Sequence, residues 1–394
     1  MTAEMASARA ASVSGLAPYG VALAWLCAAV ACLVGLPLLT LAENRLALGR
    51  PVPGTDLIGG SAVLALATGL VGFLGLTRGR GPWAACLAVG AFAIALPCLA
   101  ETLGQGAAQI LIGAAPAARV SLGSGAWLLL ALLGGALELA IRRSGIPGLG
   151  IATAFVLALA LVGMARLGRF DALSLAVEYA TRRETVHAAL REHLLLSGAA
   201  LLLAIVGAIL LTLWRRGQGL VALLLSGIQV VPAVALLGGL VALTSGLLRV
   251  LPDLRAVGLS ALGPIPAVVA IGAYLLLPLW RGLTLALRAP DPATLDAALA
   301  LGLTPLRILA GLRLPLGAPV LVGALRVAAV QSLGLATLGA LVGAGGLGRI
   351  VFDGMAQFAP DLILLGAIPV VVLSLAAETA LGRIEAAARR RWHA

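Results

Sequence analysis

Apolar residues run along this chain in blocks too long and too continuous for one face of a soluble helix, and short polar or glycine-rich joints separate them. A helix that crosses a bilayer needs about 20 apolar residues, and on that ruler roughly ten blocks qualify. They lie near 19–41, 57–77, 83–102, 124–141, 147–166, 194–214, 221–243, 264–282, 317–342 and 362–382. The pattern predicts an all-α polytopic transmembrane protein. Its first block is too long for a signal-peptide core and lacks a small-residue cleavage site before its polar flank, so it reads as a membrane anchor. Two interruptions stand out. Residues 167–192, LGRFDALSLAVEYATRRETVHAALRE, divide an N-terminal region of about five spans (1–166) from a second one (193–382). Leu173, Leu175, Val177, Val186 and Leu190 in that interruption suggest a helix lying at the outer surface. The other is 291–315, and a basic tail, 383–394, closes the chain.

Composition sharpens the picture. With 61% hydrophobic and 11% charged residues, the chain has too few charges to cover a soluble globule of 394 residues. Every cation behind the formal charge of +11, histidine apart, is arginine. Without lysine there is no Walker A loop, no Schiff base and no lysine general base. The arginines sit at the ends of apolar runs instead of forming a stripe, which argues against nucleic acid. Arg78/Arg80, Arg142/Arg143, Arg215/Arg216 and Arg389–Arg391 mark alternate joints, and placing them all in the cytoplasm puts both termini and the 291–315 segment there too. Trp83, Trp127, Trp214 and Trp280 fall near span ends. Cys27, Cys32, Cys86 and Cys98 lie within apolar runs without a C-x-x-C pair, as small buried hydrophobes. His187 and His193 are six apart, a spacing that does not put two metal ligands on one helical face.

The 291–315 segment, DPATLDAALALGLTPLRILAGLRLP, is polar enough to leave the membrane and reads as two short helices with a bend. Asp291 is placed to cap the first, with Pro292 at its first position and Gly302 just past its end. Thr304 and Pro305 repeat the start signal, and Pro315 is expected to end the second helix. Ala297 and Ala298 leave a small-residue face for another backbone. The sequence Asp296-Ala297-Ala298, then Gly302, then Leu314-Pro315 resembles the cytoplasmic coupling ("EAA") loop of ABC-importer permeases, with Asp296 where that family usually has glutamate.

The resemblance extends over the second region. EHLLLSGAALLLAIVGAILL (192–211), GIQVVPAVALL from Gly227 through Gln229 and Pro232, AYLLLPLWRGL (273–283), LRVAAVQSLGLATLGALVGAGGLG (325–348) and LILLGAIPVVVL (362–373) resemble permeases of osmoprotectant ABC importers. In the first region AENRLALGR (42–50), RVSLGSGAWLLL (119–130) and LSLAVEYATRRETV (173–186) resemble the extended Yeh-type glycine betaine permease. The resemblance implies a type I-like permease core at the bacterial inner membrane. It implies a partner ATPase that binds the ATP, an external substrate-binding protein and a second permease chain, identical or homologous. No cofactor or metal belongs to this chain itself.

Other constellations are weighed on their chemistry. Gly343, Gly345, Gly346 and Gly348 satisfy G-x-G-x-x-G, but a membrane-length helix, not a strand, leads in, so nucleotide binding is rejected. The resemblance makes these glycines a flexible outer turn of a pore-lining helix. Gln229, Arg326 and Gln331 lie deep in apolar spans and must face protein or a water-filled path. Gln229 beside Pro232 is a pathway candidate together with Tyr274, while Arg326 is expected to snorkel or pair with Asp296 or Asp291. Glu138 and Glu378, near inner span ends, are read as snorkelling to the interface. The aromatic faces that would hold a quaternary ammonium are few in the second region, Tyr274, Trp280, Phe352 and Phe358, so a cage belongs on the separate binding protein. Two rivals remain: an ABC permease for an amino acid such as methionine, and an ion-coupled secondary transporter, which would need midplane carboxylates that the spans lack. An intramembrane enzyme fails for want of clustered His, Cys or carboxylates.

The arginine pattern generates a test. Cysteine-accessibility tags at Ser144, Gln218 and Ala394 are expected to report cytoplasm, and tags at Pro53 and Thr185 the outside. Gln218 outside with Ala394 inside would invert the second region and refute the reading.

Overall fold

A computed structural model describes residues 24–44, 47, 49–78, 81–214, 217–256 and 258–392. Arg80, Arg215, Arg216, Ala394 and the start of the first apolar block lie outside the described residues. The chain forms two compact units, 1–181 and 182–394. Among the described residues nine helices are long and apolar enough to cross a membrane, and two apolar helices are shorter.

The first unit holds α1 (Ala24–Gly35), α2 (Gly60–Arg78), α3 (Pro82–Ile110), α4 (Ser124–Ser144), α5 (Leu149–Arg166) and α6 (Ser174–Thr181). The expected span 19–41 is not continuous, because α1 stops at Gly35 and Pro37–Ala42 is strand β1. Gly35 and Pro37 break the helix, and Pro37 also biases Leu36 toward extended backbone. β2 (Arg50–Pro53) and β3 (Arg119–Leu122) flank β1 antiparallel, with Leu39 opposite both Val52 and Leu122. This small sheet is an addition to the expected all-helical fold. Its edge strand β2 carries Pro51 and Pro53, residues that an edge tolerates and a central strand does not. Leu38, Leu39, Val120 and Phe92 are fully buried, and Phe92 meets Phe73 edge-on with ring centroids 5.1 Å apart.

The second unit holds α7 (Arg183–Leu213), α8 (Gln218–Val230), α9 (Ala233–Val250), α10 (Pro264–Leu287), α11 (Pro292–Ala300), α12 (Pro305–Ile308), α13 (Leu314–Ala336), α14 (Leu347–Ala356) and α15 (Pro360–Trp392). Three sequence expectations change here. The helix expected within 167–192 is only α6; 167–172 is turn, and 183–192 is already the first turns of α7. The span 221–243 breaks into α8 and α9 at Val231-Pro232, where Val231 is extended (φ −71°, ψ 129°) as a residue before proline must be. The basic tail is the end of α15, helical to Trp392. Trp280 is not interfacial; it is 7% exposed within α10, whereas Trp83 is 87% exposed.

Helices α7, α10 and α13 form the packed centre, and α9 is largely bare. Close approach of α10 and α13 depends on small residues: a Cβ built on Gly282 would lie 2.2 Å from Ala324 Cβ. Gly282→Val is therefore expected to push the two helices apart and to destabilise by about 1–3 kcal/mol, read as a lower Tm in detergent. Gly239→Ala on α9, where an added Cβ meets nothing within 4 Å, is the control expected to leave Tm unchanged or raised.

Candidate functional site

The 291–315 segment folds as two helices with a glycine turn. Asp291 occupies the N-cap of α11 with extended backbone (φ −58°, ψ 140°), but its carboxylate makes no capping hydrogen bond, against expectation. At the other end Gly302 has φ +71°, Gly302 N–H donates to Leu299 O at 2.9 Å and Leu303 N–H to Ala298 O at 3.1 Å. That pair of bonds is a Schellman closure, which satisfies carbonyls that α11 would otherwise leave open. Thr304 caps α12, its hydroxyl accepting from Arg307 N–H at 3.4 Å, and Pro305 sits at the first position.

Pro315 does not end the second helix. A π-turn, Leu309–Arg313, joins α12 directly to α13, and the helix passes through Leu314 and Pro315 without a stop. The wider turn re-registers the ladder where proline has no N–H to give. Ala297 and Ala298 do not share a face: Ala298 and Ile308 are buried and anchor the segment, while Asp296, Ala297, Gly302, Thr304 and Pro305 are exposed. Leu299, Leu301 and Leu306 are displayed outward at 58%, 80% and 73% exposure. This is an apolar knob on a rigid stalk.

Gln229, Pro232 and Tyr274 come together as expected, but for a backbone reason. Pro278 inside α10 leaves the carbonyl four residues back, that of Tyr274, without its helical donor, and Gln229 Nε2 donates to that oxygen at 2.6 Å. The Tyr274 hydroxyl in turn donates to the Val231 carbonyl beside Pro232. Two proline defects in neighbouring helices thus satisfy each other. Gln331 lies half-buried on α13 with no hydrogen bond among the described residues.

Arg326 pairs neither with Asp296 nor with Asp291. Its guanidinium bonds Glu378 and lies 3.1 Å from Glu385 Oε2, both on α15, and Arg389 Nη2 closes on Glu385 at 2.6 Å. Glu378 is therefore a partner, not a snorkelling carboxylate. The sequence signal was available: Glu378 and Glu385 are seven apart, two turns of one helical face, with Gly382 between them opening room beside Arg326.

The glycine turn is hydrogen-bonded to α7. Gly343, Gly345 and Gly346 all have left-handed φ (+79°, +80°, +77°), and Gly346 N–H donates to Glu192 Oε2 at 2.9 Å. His193, fully buried, has Nε2 3.0 Å from the Leu333 carbonyl, so Nε2 carries the proton there. Glu192 was read only as the first residue of the 192–211 match, and His193 only with His187 as an unlikely metal pair. Among the described residues no three His, Cys, Asp or Glu side chains converge for a metal. Tyr274 and Trp280 are each 7% exposed and Phe358 is 89% exposed, so these aromatics do not form a joint cage.

Comparison with known proteins follows this geometry. Residues 194–390 match the family described as binding-protein-dependent transport system inner membrane component, and residues 17–176 match the N-terminal domain of the ABC transporter permease YehY. The carnitine transport permease protein OpuCB of Listeria monocytogenes is 33% identical over 198 residues, 49% of this chain and 84% of its own length. The choline transport system permease protein OpuBB of Bacillus subtilis is 29% identical over the same shares. The osmoprotectant import permease protein OsmW of Salmonella typhimurium is 29% identical over 155 residues, 39% of this chain and 67% of its own. A chain from an inward-facing MetNI methionine ABC transporter structure aligns over 53% of this chain and 98% of its own at 22% identity, with TM-score 0.45.

The Arg326 cluster gives a test of what holds α13 to α15. Glu385→Gln is expected to lower Tm more than Glu378→Gln, because the Glu385 side chain is 11% exposed and serves two arginines while Glu378 is 45% exposed. The expected loss for Glu385→Gln is about 1–3 kcal/mol. Equal Tm values for both variants and wild type would show that the cluster does not tie the helices.

Proposed function

The chain belongs to the family of binding-protein-dependent transport system inner membrane components, a multi-pass transport permease of the inner membrane, and from that premise we propose that it moves glycine betaine or a related quaternary-amine osmoprotectant. The observation that carries the solute class is the set of relatives: proteins named for carnitine, choline and osmoprotectant import, which match 49%, 49% and 39% of this chain. They favour this solute class over an amino acid such as methionine. In this reading the chain's product is a conformational change.

The proposed mechanism uses the exposed segment. A partner ATPase binds ATP, closes, and draws on the 291–315 loops of two permease chains, which opens the pore outward to an external binding protein. Hydrolysis and release return the pore inward. Leu299, Leu301 and Leu306 form the knob that enters the ATPase, and the uninterrupted α12–α13 helix carries its displacement into the membrane. Asp291, Asp296, Ala297, Thr304 and Pro305 shape and flank the knob. Both termini lie in the cytoplasm in this arrangement.

Gly302 supplies the test. Nothing lies within 4 Å of a Cβ added there, so a substitution acts through backbone strain alone. A β-branched residue at φ +71° loses roughly 1–2 kcal/mol, whereas asparagine tolerates that region. In proteoliposomes of the full complex, Gly302→Val is expected to insert normally but to lose ATPase association and ATP-driven betaine uptake, with Gly302→Asn close to wild type. Wild-type uptake by Gly302→Val would remove this segment as the coupling element.

A further inference from the structure

α13 starts at the coupling segment and runs 23 residues, about 35 Å, so its far end reaches the opposite side of the membrane. There it meets two adjacent side chains of α7. A helix leaves its last four carbonyls without partners, and Leu333 is one of these in α13; His193 Nε2–H occupies it at 3.0 Å. The next helix, α14, begins at N-cap Gly346, and Glu192 accepts that residue's N–H at 2.9 Å. Glu192 and His193 therefore cap both ends of the turn between α13 and α14.

The glycines are the other half of the fit. A Cβ at Gly345 would lie 2.4 Å from Glu192 Oε2, and one at Gly346 would lie 3.3 Å from His193 Nδ1 and 3.4 Å from His193 Cβ. The two side chains fill the space that side chains at 345 and 346 would need. His193 Nδ1 has no partner, so the imidazole holds the turn through one bond and through packing.

At the near end, by contrast, α13 meets α10 through Gly282, Gly317, Ala286 and Ala324, smooth contacts that can slide. A push carried along α13 is then resisted where its far end is hydrogen-bonded. We propose that Glu192 and His193 are positioning residues that latch the Gly343–Gly346 turn at the far face and release it once in every transport cycle. This rests on the importer reading, and it adds to that reading the place where the stroke is resisted.

The test is a reversible cross-link in the full complex, with the four native cysteines replaced by alanine. Positions 193 and 346 have a Cβ separation of 3.4 Å, close to that of a disulfide. His193→Cys combined with Gly346→Cys is expected to cross-link about tenfold faster without nucleotide than in the ATP-vanadate state, where the latch is released. Oxidation is expected to abolish betaine uptake and reduction to restore it. In parallel, Glu192→Ala is expected to raise the ATP hydrolysed per betaine transported severalfold, while Glu192→Gln, whose amide oxygen still accepts from Gly346 N–H, stays near wild type. A merely structural role would lower hydrolysis and uptake together. Equal cross-linking rates in both nucleotide states, or an unchanged ATP-to-betaine ratio in Glu192→Ala, would overturn the latch. If the wild-type complex takes up no betaine, the solute reading fails by itself, and the cross-linking rates still decide the latch.

Discussion

In hydrocarbon, each backbone N–H and C=O must find a partner within the protein, and this requirement explains more of the second unit than any pattern of apolar residues does. Spans that lack breaks satisfy it internally. This chain has prolines at 232, 278, 315 and 319 and glycine turns at 302 and 343–346, and each is a place where the ladder opens. The polar residues that look anomalous in so apolar a sequence sit at those openings. Gln229 meets the carbonyl freed by Pro278, Tyr274 meets the carbonyl beside Pro232, His193 meets the end of α13 and Glu192 the start of α14. At Pro315 a π-turn, not a side chain, restores continuity.

Continuity at that point decides what α13 can do. If Pro315 had ended the helix, the segment 291–315 would hang from a joint, and displacement of its exposed leucines would be absorbed there. With the helix unbroken from Pro305 to Ala336, the same displacement is delivered along the axis. Arg326 then fixes which neighbour moves with it, because its two carboxylate partners are both on α15. In the proposed cycle α13 and α15 travel as one body against α10, past contacts made of glycine and alanine.

The helices were legible because their signal is local. Span length, the Thr304-Pro305 start and the Gly302 stop all depend on residues within a turn of one another, and the structure has the Thr304-Pro305 start and the Gly302 stop where the sequence puts them. What was missed is of three kinds. Long-range partners carry no local mark: Arg326 was expected to snorkel or to pair with Asp296 or Asp291 because it lies toward the same end of its helix as that segment, while Glu385 is brought to it by the return of α15. The sheet formed by β1, β2 and β3 was missed because PLLTLA has the composition of the apolar block it ends, and Ser121 of β3 lies 81 residues beyond Thr40, its partner in β1. Pro315 failed for a third reason, since a proline rule that counts only α-helical ladders does not foresee a π-turn.

The strength of the polar ties also suits a protein that must change shape. Interhelical hydrogen bonds in membranes average ~0.6 kcal/mol and seldom exceed ~2 kcal/mol, because the separated helices find other partners. Moving a two-state equilibrium from one side fully to the other takes about 5.5 kcal/mol of differential binding. A far-face turn held by two such bonds and by the packing of one imidazole lies within that reach. A turn held by an ion pair such as that of Glu385, whose own side chain is 11% exposed, would take up most of that reach, since breaking a buried pair costs about 3–5 kcal/mol. The placement of charges follows this division: ionic contacts join α13 to the helix that moves with it, and neutral-donor hydrogen bonds join it to the helix it must leave.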